Sequence, residues 1–265
     1  MKKYFKYIYM IPLAVISYFI WKLAKFWLKP TGGNEGWIAE AQPSEVWRLI
    51  TVGFWRIFFT LYNRMELIDS HLIPNAKDGN FVSVANHESI LDGFVLACTV
   101  WRQQYIMVKK EAFDIPLKGY YLRKVFCFPV NRGKTDTLAI KKALKCLSDG
   151  YNLGLFPEGT RNRAGFVSEF KSGAIKLALK KKIPILPMYI GNSHNITPPN
   201  TIFPRPAKLT VKFLEMIDTE AELKAGKTEK EIADMLYKRI TDAGKEIMGY
   251  DVRDPEYLKK LRNEN

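Results

Sequence analysis

An imidazole and a carboxylate five positions apart, His87 and Asp92, follow directly on an apolar run, in a chain of 265 residues that holds only three histidines. Such a pair can move a proton. The carboxylate sets the tautomer of the ring and stabilises the imidazolium that forms when the ring acts as a base. On a regular helix, five residues separate two side chains by about 140°. His87 and Asp92 can therefore meet only if His87 stands in a loop and the helix starts near Ser89, so that Asp92 reaches back to one ring nitrogen. Each residue also has a plainer reading. Ser89 and Asp92 have the spacing of a capping box, and a lone histidine after a strand can be an ordinary hydrogen-bonded loop residue. The segment alone leaves both readings open.

Further chemistry-bearing residues follow other apolar runs. Arg132 comes just after the run ending at Val130, and Glu158-Gly159-Thr160-Arg161 form a tight turn after the run ending at Phe156. Glycine lets a backbone approach a ligand closely, and the guanidinium fork of arginine suits phosphate. Lys171 and Gly173 open the next helical pattern, a position that favours anions. Pro187 interrupts a β-rich run and reads as a bend or a strand end. His71 and His194 read as loop histidines. The nearest approach to a hydrolase nucleophile elbow, Gly191-Asn192-Ser193-His194-Asn195, lacks the last glycine. Cys98, Cys127 and Cys146 are odd in number and scattered, which argues against a disulfide framework and for a reducing compartment. No zinc site is expected from three distant histidines.

The elements that must position these residues are apolar strands over 81–85, 104–108, 125–130, 153–156, 183–190 and 208–213. Helical patterns over 89–101, 134–147, 173–180 and 229–248 separate them. Near-continuous apolar strands between helices imply an α/β fold with a mostly parallel sheet flanked by helices. The candidate residues then fall at the C-terminal ends of strands, where such sheets carry their sites. This domain is expected over 64–265. Ahead of it, 1–63 hold an apolar run over 7–21 and an aromatic, sparsely basic helix capped by Ser44, reading together as a two-helix membrane-docking hairpin. Lysine and arginine total 41 against 27 acidic residues, a net charge of +14. That points to a polyanionic partner, an anionic phospholipid membrane or nucleic acid. No nucleic-acid module, P-loop or dinucleotide glycine pattern accompanies the charge, and a nucleic-acid-binding protein leaves the His87 block unexplained.

In this order, Asn86-His87-Glu88-Ser89-Ile90-Leu91-Asp92, the strand-end Arg132, Phe156-Pro157-Glu158-Gly159-Thr160-Arg161 and the apolar segment with Pro187 resemble the glycerolipid acyltransferase family. The resemblance covers roughly 81–190. It implies catalysis by His87 and Asp92 and an acceptor-phosphate site made of Arg132, Glu158, Gly159, Thr160 and Arg161, with Lys171 a further anion contact. The implied reaction moves a fatty acyl chain from an acyl thioester, on acyl carrier protein or CoA, to the sn-2 hydroxyl of a lysophosphatidate. The thioester is a cosubstrate, and no metal or bound cofactor is implied. The implied location is the cytoplasmic face of the inner membrane. Another lysophospholipid or an aminolipid is the alternative acceptor. Asn131 departs from the family pattern, as does the polar segment after the fourth block.

Overall fold

The structure is a computed structural model, and it describes residues 44–131, 136–199, 201, 203–254 and 256. The first of the two expected N-terminal helices lies outside the described residues. Residues from Gln42 onward form one compact unit. It opens with α1 (Glu45–Leu61), capped as expected by Ser44, whose hydroxyl accepts from the N–H of Trp47. Val52, Phe58 and Phe59 are buried, while Val46, Leu49, Ile50, Ile57 and Leu61 on the same helix are exposed. Both faces of α1 are thus apolar, and the described residues cover only one.

Seven strands follow: β1 (Glu66–Ile68), β2 (Val82–Ala85), β3 (Gln104–Lys109), β4 (Cys127–Val130), β5 (Asn152–Leu155), β6 (Ile185–Gly191) and β7 (Thr210–Phe213). They form one sheet in the order β1-β7-β6-β2-β5-β3-β4. Every pairing is parallel except β6 with β7. All residues of β2, β5 and β6 are buried, as a sheet covered on both faces requires. On one face α4 (Thr137–Ser148), α5 (Ser172–Lys181) and α8 (Glu229–Met248) complete a core with Val82, Val84, Leu153 and Ile185. On the other, α2 (Asp92–Val100) lies against β5 and is covered by α1. A side chain at Gly154 would meet Leu96 of α2 at 2.6 Å, so the helix packs directly on that strand. Trp55 of α1 stacks on Phe94 of α2 at 4.6 Å. The shorter helices are α3 (Pro116–Lys124), α6 (Ser193–Ile196) and α7 (Thr219–Lys224).

Two local expectations are corrected. Pro187 does not end its strand; it sits inside β6, opposite Val84 of β2. The β7 pairing begins only at Met188, while the N–H of Ile185 goes to Ile217. The N–H that proline lacks therefore falls in a gap of the ladder, where its absence costs no bond. The helix expected from Ser89 starts three residues later, at Asp92. Ser89 to Leu91 form a turn that the Asp92 side chain closes.

Candidate active site

The C-terminal ends of β2, β5 and β6 lie side by side, because β2 is sandwiched between the other two. The turn after β2 carries His87 and Asp92. Asp92 is fully buried, and its Oδ2 lies 2.9 Å from His87 Nδ1. The same oxygen accepts from the backbone N–H groups of Glu88 and Ser89, each at 2.7 Å. Both readings of Asp92 therefore hold at once: it closes the turn and it engages the imidazole. The His87 ring stacks on Phe156, centroids 4.2 Å apart. Its backbone is gripped from the segment after β5. Its N–H donates to Glu158 Oε1 at 2.6 Å, and its carbonyl accepts from the N–H of Asn162 at 2.7 Å. No described residue hydrogen-bonds Nε2.

Glu158, counted from the sequence among the acceptor contacts, is buried, and its second oxygen accepts from the N–H of Ser168. Both oxygens thus serve backbone groups that hold the His87 turn and its own loop. Burial pushes this carboxyl up to about 7; the Ser168 and His87 N–H groups oppose the rise and Glu88 adds to it. Gly159 takes a left-handed conformation, φ +71°, and the Lys171 ammonium passes over it. A side chain there would lie 3.1 Å from Nζ. Thr160 is exposed and Arg161 half-buried in the same loop. Arg132 lies outside the described residues. Its neighbour Asn131 donates through N and Nδ2 to Asp136, the residue that caps α4.

His87 also stands in the wall of an apolar cavity of 430 Å³ that runs between the sheet and α4 and α5, with Met107, Ile140, Leu144, Phe156 and Leu177 around it.

An acyltransferase family model matches residues 64–191. A 1-acyl-sn-glycerol-3-phosphate acyltransferase of Borreliella burgdorferi is 32% identical over 171 residues, which make up 62% of this chain and 67% of that protein. The chain belongs to the acyltransferase family. A Cocos nucifera protein of the same description is 30% identical over 52% of this chain, but the match spans only 46% of the plant protein. Among solved structures, the 1-acyl-sn-glycerophosphate acyltransferase PlsC from Thermotoga maritima superposes with a TM-score of 0.66. It is 27% identical and covers 77% of this chain and 80% of its own. The mostly parallel sheet flanked by helices is thus the fold of this acyltransferase family, as the sequence blocks imply.

Four residues that hold the His87 turn were given no such role from the sequence. Phe156 and Asn162 flank the Glu158 turn, and their contacts with His87 depend on β5 lying next to β2. Asn86 binds the backbone of Ile190 through both of its amide atoms. His194, read as a loop histidine, is buried in α6 with Nδ1 2.7 Å from Glu88 Oε2. His71 is exposed, as expected.

Proposed function

We propose that this acyltransferase esterifies the sn-2 hydroxyl of 1-acyl-glycerol-3-phosphate with a fatty acyl chain, producing phosphatidate at a membrane surface. The observation that carries the reading is His87 itself. Its Nδ1 is engaged by a buried carboxylate, its Nε2 is left for a substrate, and its ring borders a cavity of apolar side chains. That cavity suits an alkyl chain. The names of the Borreliella and Thermotoga proteins support the acceptor.

In the proposed reaction the donor is a thioester of acyl carrier protein or CoA, its chain in the cavity and its carbonyl beside His87. Nε2 takes the proton of the acceptor hydroxyl as that oxygen attacks the carbonyl carbon. The C–O bond forms, the tetrahedral adduct collapses, the C–S bond breaks, and the imidazolium returns the proton to the departing sulfur. Asp92 accepts Nδ1–H throughout and stabilises the transient cation. General-base help of this kind contributes about 10²–10⁴-fold. The acceptor phosphate would be held by Arg161, Thr160, Lys171 and Arg132. That fixes the hydroxyl near Nε2, where proximity gains arise. Glu158 acts on this proposal through the His87 backbone. The uncovered apolar face of α1 would rest on lipid. No described helix is long and apolar enough to cross a membrane.

Full-length protein assayed with both thioester donors and a panel of lysolipids tests the reading. Lysophosphatidate should be acylated fastest, and His87→Ala should lose about 10²–10⁴-fold in kcat while remaining folded by circular dichroism. Faster acylation of a phosphate-free or amine-bearing lysolipid, or His87→Ala keeping more than about a tenth of the rate, overturns it.

A further inference from the structure

Glu88, the residue after the proposed base, is almost fully buried. Such a carboxylate is tolerated only when hydrogen-bonded. Its partners are His194 of α6 and its near neighbour Asn86. Nδ1 of His194 lies 2.7 Å from Oε2, the His194 N–H donates to the same oxygen at 3.3 Å, and Asn86 Nδ2 donates to Oε1 at 3.2 Å. Ser89 Oγ pairs with Thr197 Oγ1 across the same seam, and Asn86 grips Ile190. Asn86, Glu88 and Ser89 are thus tied to the segment running from β6 through α6. His87, between them, is tied instead to the segment after β5, through Glu158 and Asn162.

His194 touches both sides. While Nδ1 meets Glu88, its ring fills the space beside Gly165. A side chain at that glycine would lie 2.5 Å from Cε1 and 2.8 Å from both ring nitrogens. Gly165 has φ +81°, and its N–H donates to the carbonyl of Asn162, the residue whose own N–H holds His87. The ring is therefore wedged between the turn that bears His87 and the 159–165 loop that bears Arg161.

We propose that His194 is a positioning residue for acyl transfer: by bonding Glu88 and buttressing Gly165 it locks the His87 turn and the Arg161 loop into one geometry. The proposal rests on the assignment of His87 and Arg161 made above. His194 touches no reacting atom. Its two contacts are separable, because the amide of asparagine places a donor close to where Nδ1 stands and supplies no ring.

Two measurements on His194→Ala and His194→Asn test it. In steady-state kinetics, His194→Ala should lose about 10- to 150-fold in kcat/KM for the acceptor, the range for a hydrogen bond to a charged group. The donor KM should stay within about twofold, since the apolar cavity is untouched. His194→Asn should recover kcat but keep a raised acceptor KM, because the loop still lacks its buttress. A merely structural role predicts equal losses for donor and acceptor and no rescue by asparagine; that pattern, or unchanged kinetics in His194→Ala, overturns the proposal. The second measurement needs no turnover. In ¹⁵N-labelled protein the ring signals of His87 should shift in His194→Ala and return toward wild type in His194→Asn. Unmoved His87 signals in His194→Ala sink the positioning role. Wild-type protein inert toward every lysolipid would defeat the proposed function and leave this comparison decisive for His194.

Discussion

His87 is held at Nδ1, at its ring face and at both backbone polar groups, and these holds make different demands. Asp92 Oδ1 is buried with no hydrogen-bond partner, whereas Oδ2 takes three contacts. Asparagine can therefore put its oxygen where Oδ2 stands and its NH₂ where Oδ1 does. Asp92→Asn should keep the turn and remove the charge that supports the imidazolium. Its kcat should fall at least about 10²-fold while its unfolding midpoint falls modestly. A pure capping role predicts activity largely kept, because asparagine caps about as well as aspartate. Glu158 makes a pH prediction. Burial raises its carboxyl from 4.5 to about 7. Between those values the folded protein keeps a proton that the unfolded chain has released. Stability contributed by this group is thus greatest below about 4.5 and declines as pH rises to about 7. Urea midpoints measured from pH 4.5 to 8 should show this decline in the wild type and a flatter profile in Glu158→Gln.

The helix α1 shows how one element serves two environments. Phe59 is fully buried, whereas Ile57 and Leu61 are 62% and 76% exposed. Trp55 and Arg56 fasten the helix to α2 through the Phe94 ring and the Cys98 carbonyl. Phe59→Ala should therefore cost about 3–5 kcal/mol of stability, as deletion of a buried aromatic does. Ile57→Ser with Leu61→Ser should change stability by no more than about 0.5 kcal/mol each. If the outer face meets lipid as proposed, the same double variant should float less well with anionic liposomes than the wild type. Equal flotation would remove α1 from the membrane contact.

At the scale of the whole molecule, the sheet order brings His87, the loop of Gly159 to Arg161 and an apolar cavity together. Ala174 lines the cavity near Gly173, and Leu144 and Lys180 lie along it. A phenyl ring introduced by Ala174→Phe would narrow the space available to an acyl chain. Activity with a long-chain thioester should fall at least about tenfold, with a much smaller loss for a short-chain donor, because one methylene in a tight pocket already discriminates about 10- to 200-fold. Donor chain-length profiles of the two proteins measure this. An unchanged profile would place the acyl chain elsewhere.

Much of this arrangement was legible before any coordinates. Local apolar runs are long enough to declare their strands, so six of the seven were located to within two residues, and helix α8 at both of its ends. The contact between His87 and Asp92 also followed from helix geometry, because both residues belong to one turn. The three-residue strand β1 and the short helices α3, α6 and α7 carry too few periodic positions to be read. Pairing across the sheet was beyond local pattern altogether. Nothing near His87 in the chain announces that β5 lies against β2, yet this adjacency lets Glu158 hold the His87 backbone. Likewise His194, 106 positions after Glu88, looks like any loop histidine until β6 is placed on the other flank of β2. Local sequence determines which segments are strands, helices and turns, since those preferences act between near neighbours. Which turns face one another is decided by the order in which the strands enter the sheet, and that order is set by long-range burial.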